Sequence, residues 1–257
     1  MLRLRDDDAG RRENEGIKFI GNEGILHMYA QLKQRVWEAN MELNRRGLVL
    51  YTWGNVSEAD RERGVAAIKP SGVPYETMTP DDIVVMSLET GERVEGNLRP
   101  SSDWPTHLEL YRAFGDVNGV THTHSPFATA WAQAGRGIPC LGTTHADYFA
   151  GEVPCTRYVS KEEADGDYEA ETGVLIAATF EGMNPVHTPG VLVAGHGPFT
   201  WGKDGAQSVY HAAVLEEVAK MALYTYQIRP ESGNLPMHIL HKHFSRKHGP
   251  NAYYGQK

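Results

Sequence analysis

Cysteine is nearly absent from this chain: Cys140 and Cys155 are the only two among 257 residues. A chain of this length buries a sizeable apolar core without covalent staples, so a disulfide framework is excluded as its organising principle. Long apolar runs are missing too, and no stretch reaches the roughly 20 residues that a membrane-crossing helix requires. Residues 1–20 carry too many charges to read as a secretory signal, which makes the cytoplasm the expected compartment and a membrane an unexpected partner. Nor is there an excess of positive charge: 25 Lys and Arg against 33 Asp and Glu leave a formal net charge of −8. Neutralising a phosphate backbone needs concentrated cations, so a general nucleic-acid binder is excluded, while a local pocket for a phosphorylated small molecule is not. Internal repeats and low-complexity tracts are lacking, and the composition is that of an ordinary folded protein.

The first stretch has charge runs at Arg5 to Asp8 and Arg11 to Glu15 and little apolar content, so residues 1–24 are expected to form a flexible extension ahead of a domain spanning 25–257. Ile25, Tyr29, Leu32, Val36, Ala39 and Leu43 then recur at helical spacing up to a stop at Gly47. Short apolar runs of strand length follow at Leu48 to Trp53, Val65 to Ile68, Ile83 to Ser87, Gly119 to Thr123, Cys155 to Val159 and Val191 to Ala194. Helical patterns separate some of them. Trp104 to Phe114 has Pro at its second position, Glu169 to Phe180 follows an acidic turn, and Asp204 to Ile228 opens with Asp-x-x-Gln capping chemistry. Several early strands are joined by turns too short for helical crossovers, which implies antiparallel pairing. The expected fold is a single α/β domain with helices covering a mixed or mainly antiparallel sheet.

The chemistry is concentrated in a few segments. His122-Thr123-His124 ends an apolar run, and residues two apart on a strand share one face, so both imidazoles can reach one metal ion. Ser125-Pro126 reads as the cap and first residue of the helix that follows. His196, between Gly195 and Gly197 after another apolar strand, would complete a three-histidine set; alone it reads as a turn histidine. Asp103 stands at a helix start, where a capping role is as good a local explanation as a ligand role. Three small-residue loops, around Gly54-Asn55, Ser71-Gly72 and Ser101-Ser102, offer the amides and hydroxyls of an anion nest, with Lys69 able to add charge. Asp147, in Thr143-Thr144-His145-Ala146-Asp147, reads either as a general base or as a loop carboxylate. Tyr254 lies near the C-terminus, where a phenol matters only if the tail docks, as on a neighbouring subunit.

Taken together and in order, "TWGNVS", "IKPSGV", "PSSDWPTH", "HTHS", "GTTHADYF", "HGPFTWGK" and "KHGPNAYYGQ" resemble the signatures of the L-ribulose-5-phosphate 4-epimerases of the class II aldolase family, from about Leu32 to the C-terminus. The resemblance implies a three-layer domain whose central, mainly antiparallel sheet carries helices on both faces. It implies a metal set of Asp103, His122, His124 and His196 holding Zn²⁺, or another divalent ion such as Mn²⁺ or Co²⁺. The phosphate end of a sugar phosphate would lie against Gly54, Asn55, Ser71, Gly72, Ser101 and Ser102. Asp147 and Tyr254 would be the acid/base pair, with Tyr254 donated to an adjacent subunit of a homotetramer. Thr143, Glu169, His243 and Arg246 would form a supporting shell. Fuculose- and rhamnulose-phosphate aldolases of the same family carry a catalytic Glu where this chain has Asp103. The resemblance therefore implies epimerisation of L-ribulose 5-phosphate and D-xylulose 5-phosphate by opening and re-forming the C3–C4 bond, with a sugar-phosphate aldolase as the alternative. A non-catalytic binder of metal and sugar phosphate is a further alternative.

Overall fold

In the computed structural model, residues 28–249 and 252–254 are described. The expected extension over residues 1–24, and the start of the first helical pattern at Ile25, lie outside them. The first helix, α1 (Ala30–Arg45), buries Leu32, Val36, Ala39 and Leu43, the residues whose spacing marks it in the sequence. Seven strands follow: β1 (Asn55–Asp60), β2 (Val65–Ile68), β3 (Val84–Ser87), β4 (Arg93–Glu95), β5 (Gly119–His122), β6 (Gly190–Val193) and β7 (Gly197–Gly202). They form one sheet in the order β4-β3-β2-β1-β5-β7-β6, and each neighbouring pair is antiparallel.

Helices cover both faces of this sheet. Alternate residues along β2, β3 and β6 belong to different cores, as strand pleating requires. Ala66, Ile68, Val84, Met86, Val191 and Val193 pack with α2 (Trp104–Ala113) and α6 (Tyr168–Thr179). On the opposite face, Val65, Ala67 and Val85 pack with α1 and α7 (Gly205–Ile228), while Leu192 packs with α7 and α3 (Pro126–Gln133). Burial from both sides explains why β2 is the unbroken run Val-Ala-Ala-Ile instead of an apolar/polar alternation. Shorter helices α4 (Thr143–Ala146) and α5 (Lys161–Asp165) lie in the connection between α3 and α6, and α8 (Met237–Lys247) completes the eight α-helices among the described residues. Asp204 caps α7 by accepting from the Gln207 N–H, the contact implied by the Asp-x-x-Gln spacing.

Two expected strands are not strands. Leu48 to Trp53 is an irregular turn: Leu48 and Val49 are buried in the core with α1, Leu50, Tyr51 and Trp53 are exposed, and the strand begins at Asn55. Cys155 to Val159 contributes a single bridge, Cys155 to Leu192, on the free edge of β6, and the chain then leads outward to exposed Tyr158.

Candidate functional site

The strand order brings the three histidines together. β5 delivers His122, with His124 just beyond its end, and β7 lies beside β5 with His196 in the turn that precedes it. One ring nitrogen from each histidine lies within 4.8 Å of the others. The His122 ring stacks on Phe199 at 4.2 Å, and its Nδ1–H donates to the Pro198 carbonyl, which leaves the Nε2 lone pair free. That Nε2 lies 3.1 Å from His124 Nε2, so a proton or a cation belongs between them. Burial, followed by the neighbouring His122 ring, lowers both His124 and His196 to about 4. At neutral pH the His124 and His196 rings are uncharged, and neutral imidazoles converging on one point fit a divalent cation. Tyr168, at the start of α6, places its phenol 3.4 Å from His196 Nδ1. A partner on that nitrogen turns the other one toward the cluster.

Asp103 stands at the N-cap position of α2, yet its side chain makes no capping bond. It accepts from Asn55 Nδ2 at 2.6 Å. Burial opposes ionisation of this carboxyl, but the His122 and His107 rings and the Asn55 bond outweigh it and hold the group below the usual carboxylate range. An ionised carboxylate thus lines the same cleft as the three histidines, and carboxylate with imidazole suits Zn²⁺ and equally Mn²⁺ or Co²⁺.

The histidines and Asp103 line a cleft of about 580 Å³. Gly54, Asn55, Ser71, Gly72, Ser101 and Ser102 line it as well, so the three anion-loop candidates and the four metal-ligand candidates share one cavity. Two of the loops are tied to each other: Ser71 N–H donates to the Arg99 carbonyl and Ser101 N–H to that of Lys69, both at 2.9 Å. Lys69 is almost wholly buried, bonded through Nζ to the Pro70 and Val73 carbonyls, and desolvation lowers it to about 8. Ser101 Oγ accepts from Asn55 Nδ2 and from the Asp103 N–H, which leaves its own proton to donate. Both Asn55 side-chain protons are committed to Ser101 and Asp103. Asn55 therefore couples the serine loop to the carboxylate, and its buried Oδ1 has no protein partner.

Asp147 and Tyr254 lie in a second cluster, where α4 meets α8, and neither lines the cleft. Arg246 grips Asp147 through Nε to Oδ1 at 3.0 Å and Nη2 to Oδ2 at 2.6 Å, while His243 Nδ1–H donates to Oδ1 at 3.0 Å. Lys247 Nζ is 3.5 Å from Oδ2. Burial works against the Asp147 charge, but Arg246, His243 and Lys247 prevail, and its carboxyl is lowered. The Tyr254 ring lies under Arg246 and Lys247 at 4.9 and 4.4 Å, with the tyrosine 61% exposed. The same α8 residues hold both Asp147 and Tyr254. Glu169 lines the cleft, and Thr143 begins α4 in front of Asp147. Sequence reasoning missed Tyr168 and His107. His107 lies one helical turn after Asp103, a spacing that could have flagged it.

Fold and site together define an antiparallel α/β protein with a three-histidine cluster in a cleft lined by serine and glycine turns. The chain belongs to the family described as Class II Aldolase and Adducin N-terminal domain, whose model matches residues 34–223. Among solved structures it is similar to an L-fuculose 1-phosphate aldolase at 26% identity and a TM-score of 0.71, over 84% of this chain and 95% of that one. It is similar to the L-fuculose-1-phosphate aldolase of Thermus thermophilus at 24% identity, TM-score 0.62, covering 80% of this chain and 100% of that one. With the L-fuculose 1-phosphate aldolase of Glaciozyma antarctica it shares 16% identity at a TM-score of 0.69, over 93% and 88% of the two chains. The last two likenesses speak for the fold alone. No described helix is long and apolar enough to cross a membrane.

Proposed function

We propose that this protein is a metal-dependent epimerase that interconverts L-ribulose 5-phosphate and D-xylulose 5-phosphate. The C4 hydrogen of such a ketopentose is not adjacent to the C2 ketone and is not acidic, so inversion by deprotonation is unfavourable. Opening the C3–C4 bond, turning the aldehyde fragment and closing the bond again avoids that difficulty. His122, His124 and His196, with Asp103, would hold a divalent ion, zinc the first choice, and such an ion would supply Lewis acidity at the ketone end of the substrate.

The remaining work falls to the chain's own residues. Ser71, Gly72, Ser101 and Ser102 hold the phosphate end, with Gly54 giving the loop close approach and Asn55 fixing the Ser101 hydroxyl relative to Asp103. That grip keeps the aldehyde fragment in the cleft while it turns. Asp147 and Tyr254 each move a proton at the C4 oxygen, one for each epimer. Their absence from the cleft of their own chain supports delivery to the cleft of a neighbouring subunit, in a homotetramer working in the cytoplasm. Residues 25–257 form the working unit.

The observation that carries this reading is Asp103. A short carboxylate pinned by Asn55 at 2.6 Å is suited to staying beside the histidines as a ligand, and unsuited to the moving acid/base role of a longer Glu in the related aldolases. The competing reading, a sugar-phosphate aldolase, draws support from the 26% identity to an L-fuculose 1-phosphate aldolase. Purified metal-loaded protein is expected to interconvert the two pentulose 5-phosphates. No interconversion, together with release of dihydroxyacetone phosphate from a 6-deoxyhexulose 1-phosphate, would establish the aldolase instead.

A further inference from the structure

His124 lies beyond the end of β5, so the strand ladder does not fix it. Pairing with β7 runs out at His122, and one longer bond follows, from the Thr123 N–H to the Pro198 carbonyl at 3.3 Å. The chain then turns at Ser125 into α3, whose first turn decides where the backbone leaves His124.

That first turn has no cap of its own. The leading N–H groups of a helix lack intrahelical acceptors and need partners from elsewhere. Ser125 stands at the N-cap but makes no capping bond, and no acidic residue follows it in the first turn. Its hydroxyl oxygen accepts from Thr123 Oγ1 at 3.2 Å, and its N–H returns a bond to Thr123 Oγ1 at 3.4 Å, closing a small turn around His124. The cap comes from α7 instead. Glu216 Oε1 accepts from the Phe127 N–H and Oε2 from the Ala128 N–H, both at 2.9 Å. Glu216 is buried, and these two amides are its only hydrogen-bond donors among the described residues. Burying a carboxylate is costly, and here two charge-assisted bonds and the positive end of the α3 dipole offset that cost. Packing of α3 on α7 has a separate tie nearer the other end, where Trp131 Nε1–H donates to the Ala219 carbonyl at 3.0 Å.

We propose, on the reading that His122, His124 and His196 hold a divalent ion, that Glu216 is a positioning residue for His124. Only Ser125 and Pro126 separate His124 from the first gripped amide, and the ring of Pro126 fixes its φ at about −65°, so little freedom remains between anchor and ligand. β5 holds the chain before His124 and Glu216 holds it after, which keeps the imidazole facing His122 and His196 without metal.

Two measurements on the full chain test it. Amide hydrogen exchange of the metal-free protein, read by mass spectrometry, is expected to quicken over residues 124–128 in Glu216→Ala, and only over the last turn of α3 in Trp131→Phe. Zn²⁺ affinity by chelator competition is expected to fall roughly tenfold in Glu216→Ala, the lower end of the 10–100-fold typical of groups that orient metal ligands. It should recover largely in Glu216→Gln, which keeps an acceptor oxygen at the same reach, and hold the wild-type value in Trp131→Phe. If Glu216→Ala does not fold, Glu216→Asp replaces it; with the charge kept and the reach one methylene shorter, it is expected to bind Zn²⁺ more weakly than Glu216→Gln. Unchanged affinity in the folded variant, or an equal loss in Trp131→Phe, overturns the proposal. Wild-type protein that takes up no divalent ion overturns the metal reading instead. The exchange experiment then stands alone: quickening confined to residues 124–128 upholds the anchor, and even quickening along α3 overturns it.

Discussion

Replacing Gly54 by alanine separates two costs that the structure assigns to one residue. Gly54 has φ of +80°, and a Cβ there would lie 2.8 Å from the His122 carbonyl oxygen and 2.8 Å from Val49 Cγ1. Holding alanine in the left-handed region costs about 1–2 kcal/mol. Forcing a methyl group against a fixed carbonyl adds about 1–3 kcal/mol of overpacking. The sum, roughly 2–5 kcal/mol, corresponds to a fall of roughly 4–20 °C in Tm at the 2–4 °C per kcal/mol typical of a chain this size. Gly72 is the control: its φ is +69°, but a Cβ there meets nothing within 4 Å, so only the backbone cost applies. Thermal unfolding of Gly54→Ala and Gly72→Ala, followed by circular dichroism without metal, is expected to show the first melting well below the second. Because the Gly54 clash falls on the residue that carries the His122 imidazole, Gly54→Ala should also weaken metal uptake, while Gly72→Ala should not. Equal midpoints for the two variants would refute the claim that this loop packs directly behind the histidine strand.

Three further outcomes follow from particular contacts. His124 and His196 are lowered to about 4 in the folded chain, so between about 4 and their unfolded value near 6.5 the unfolded state binds more protons. Stability of the metal-free protein is then full above about pH 6.5 and declines toward pH 4, which a series of urea midpoints against pH will read; a flat profile contradicts the buried neutral rings. Asp147→Asn should keep its metal and lose turnover by roughly 10²–10⁴-fold, the usual worth of a general acid or base; metal analysis showing loss of the ion would refute its position outside the histidine cluster. Asn40 is fully buried between α1 and β1, where its side chain bonds the Val36 carbonyl and both the N–H and the carbonyl of Val56. Asn40→Leu orphans the Val56 groups and should cost roughly 2–6 kcal/mol in denaturant unfolding, at 1–3 kcal/mol for each of the two stranded groups.

How far the sequence reveals this molecule depends on whether burial is apolar. β2 is expected at Val65 to Ile68 and found there, because both of its faces enter cores. β1 is invisible by the same test: Asn-Val-Ser-Glu-Ala-Asp reads as polar, yet Asn55, Ser57 and Glu58 are buried. They bond to Asp103, His107 and Arg35, partners that no local pattern reveals. Leu48 to Trp53 errs in the opposite sense: only Leu48 and Val49 are buried, while Leu50, Tyr51 and Trp53 are apolar yet exposed, the Trp53 ring 6.2 Å from that of His124. Asp103 is not among the residues that converge within 4.8 Å, whereas the clustering of His122, His124 and His196 was legible because it follows from strand period and from one glycine-flanked turn. The distance of Asp147 from that cluster was not, since it depends on where α8 docks, and α8 buries only Leu240.

The account turns on one divalent ion held by His122, His124 and His196. Zinc titration of metal-free protein, read by calorimetry and by the shift in thermal midpoint, addresses it most directly. The expected result is one ion per chain with a raised midpoint in the wild type, and loss of both in His122→Ala, whose fold is checked by circular dichroism. A folded His122→Ala chain that binds the ion as tightly as the wild type would contradict the account.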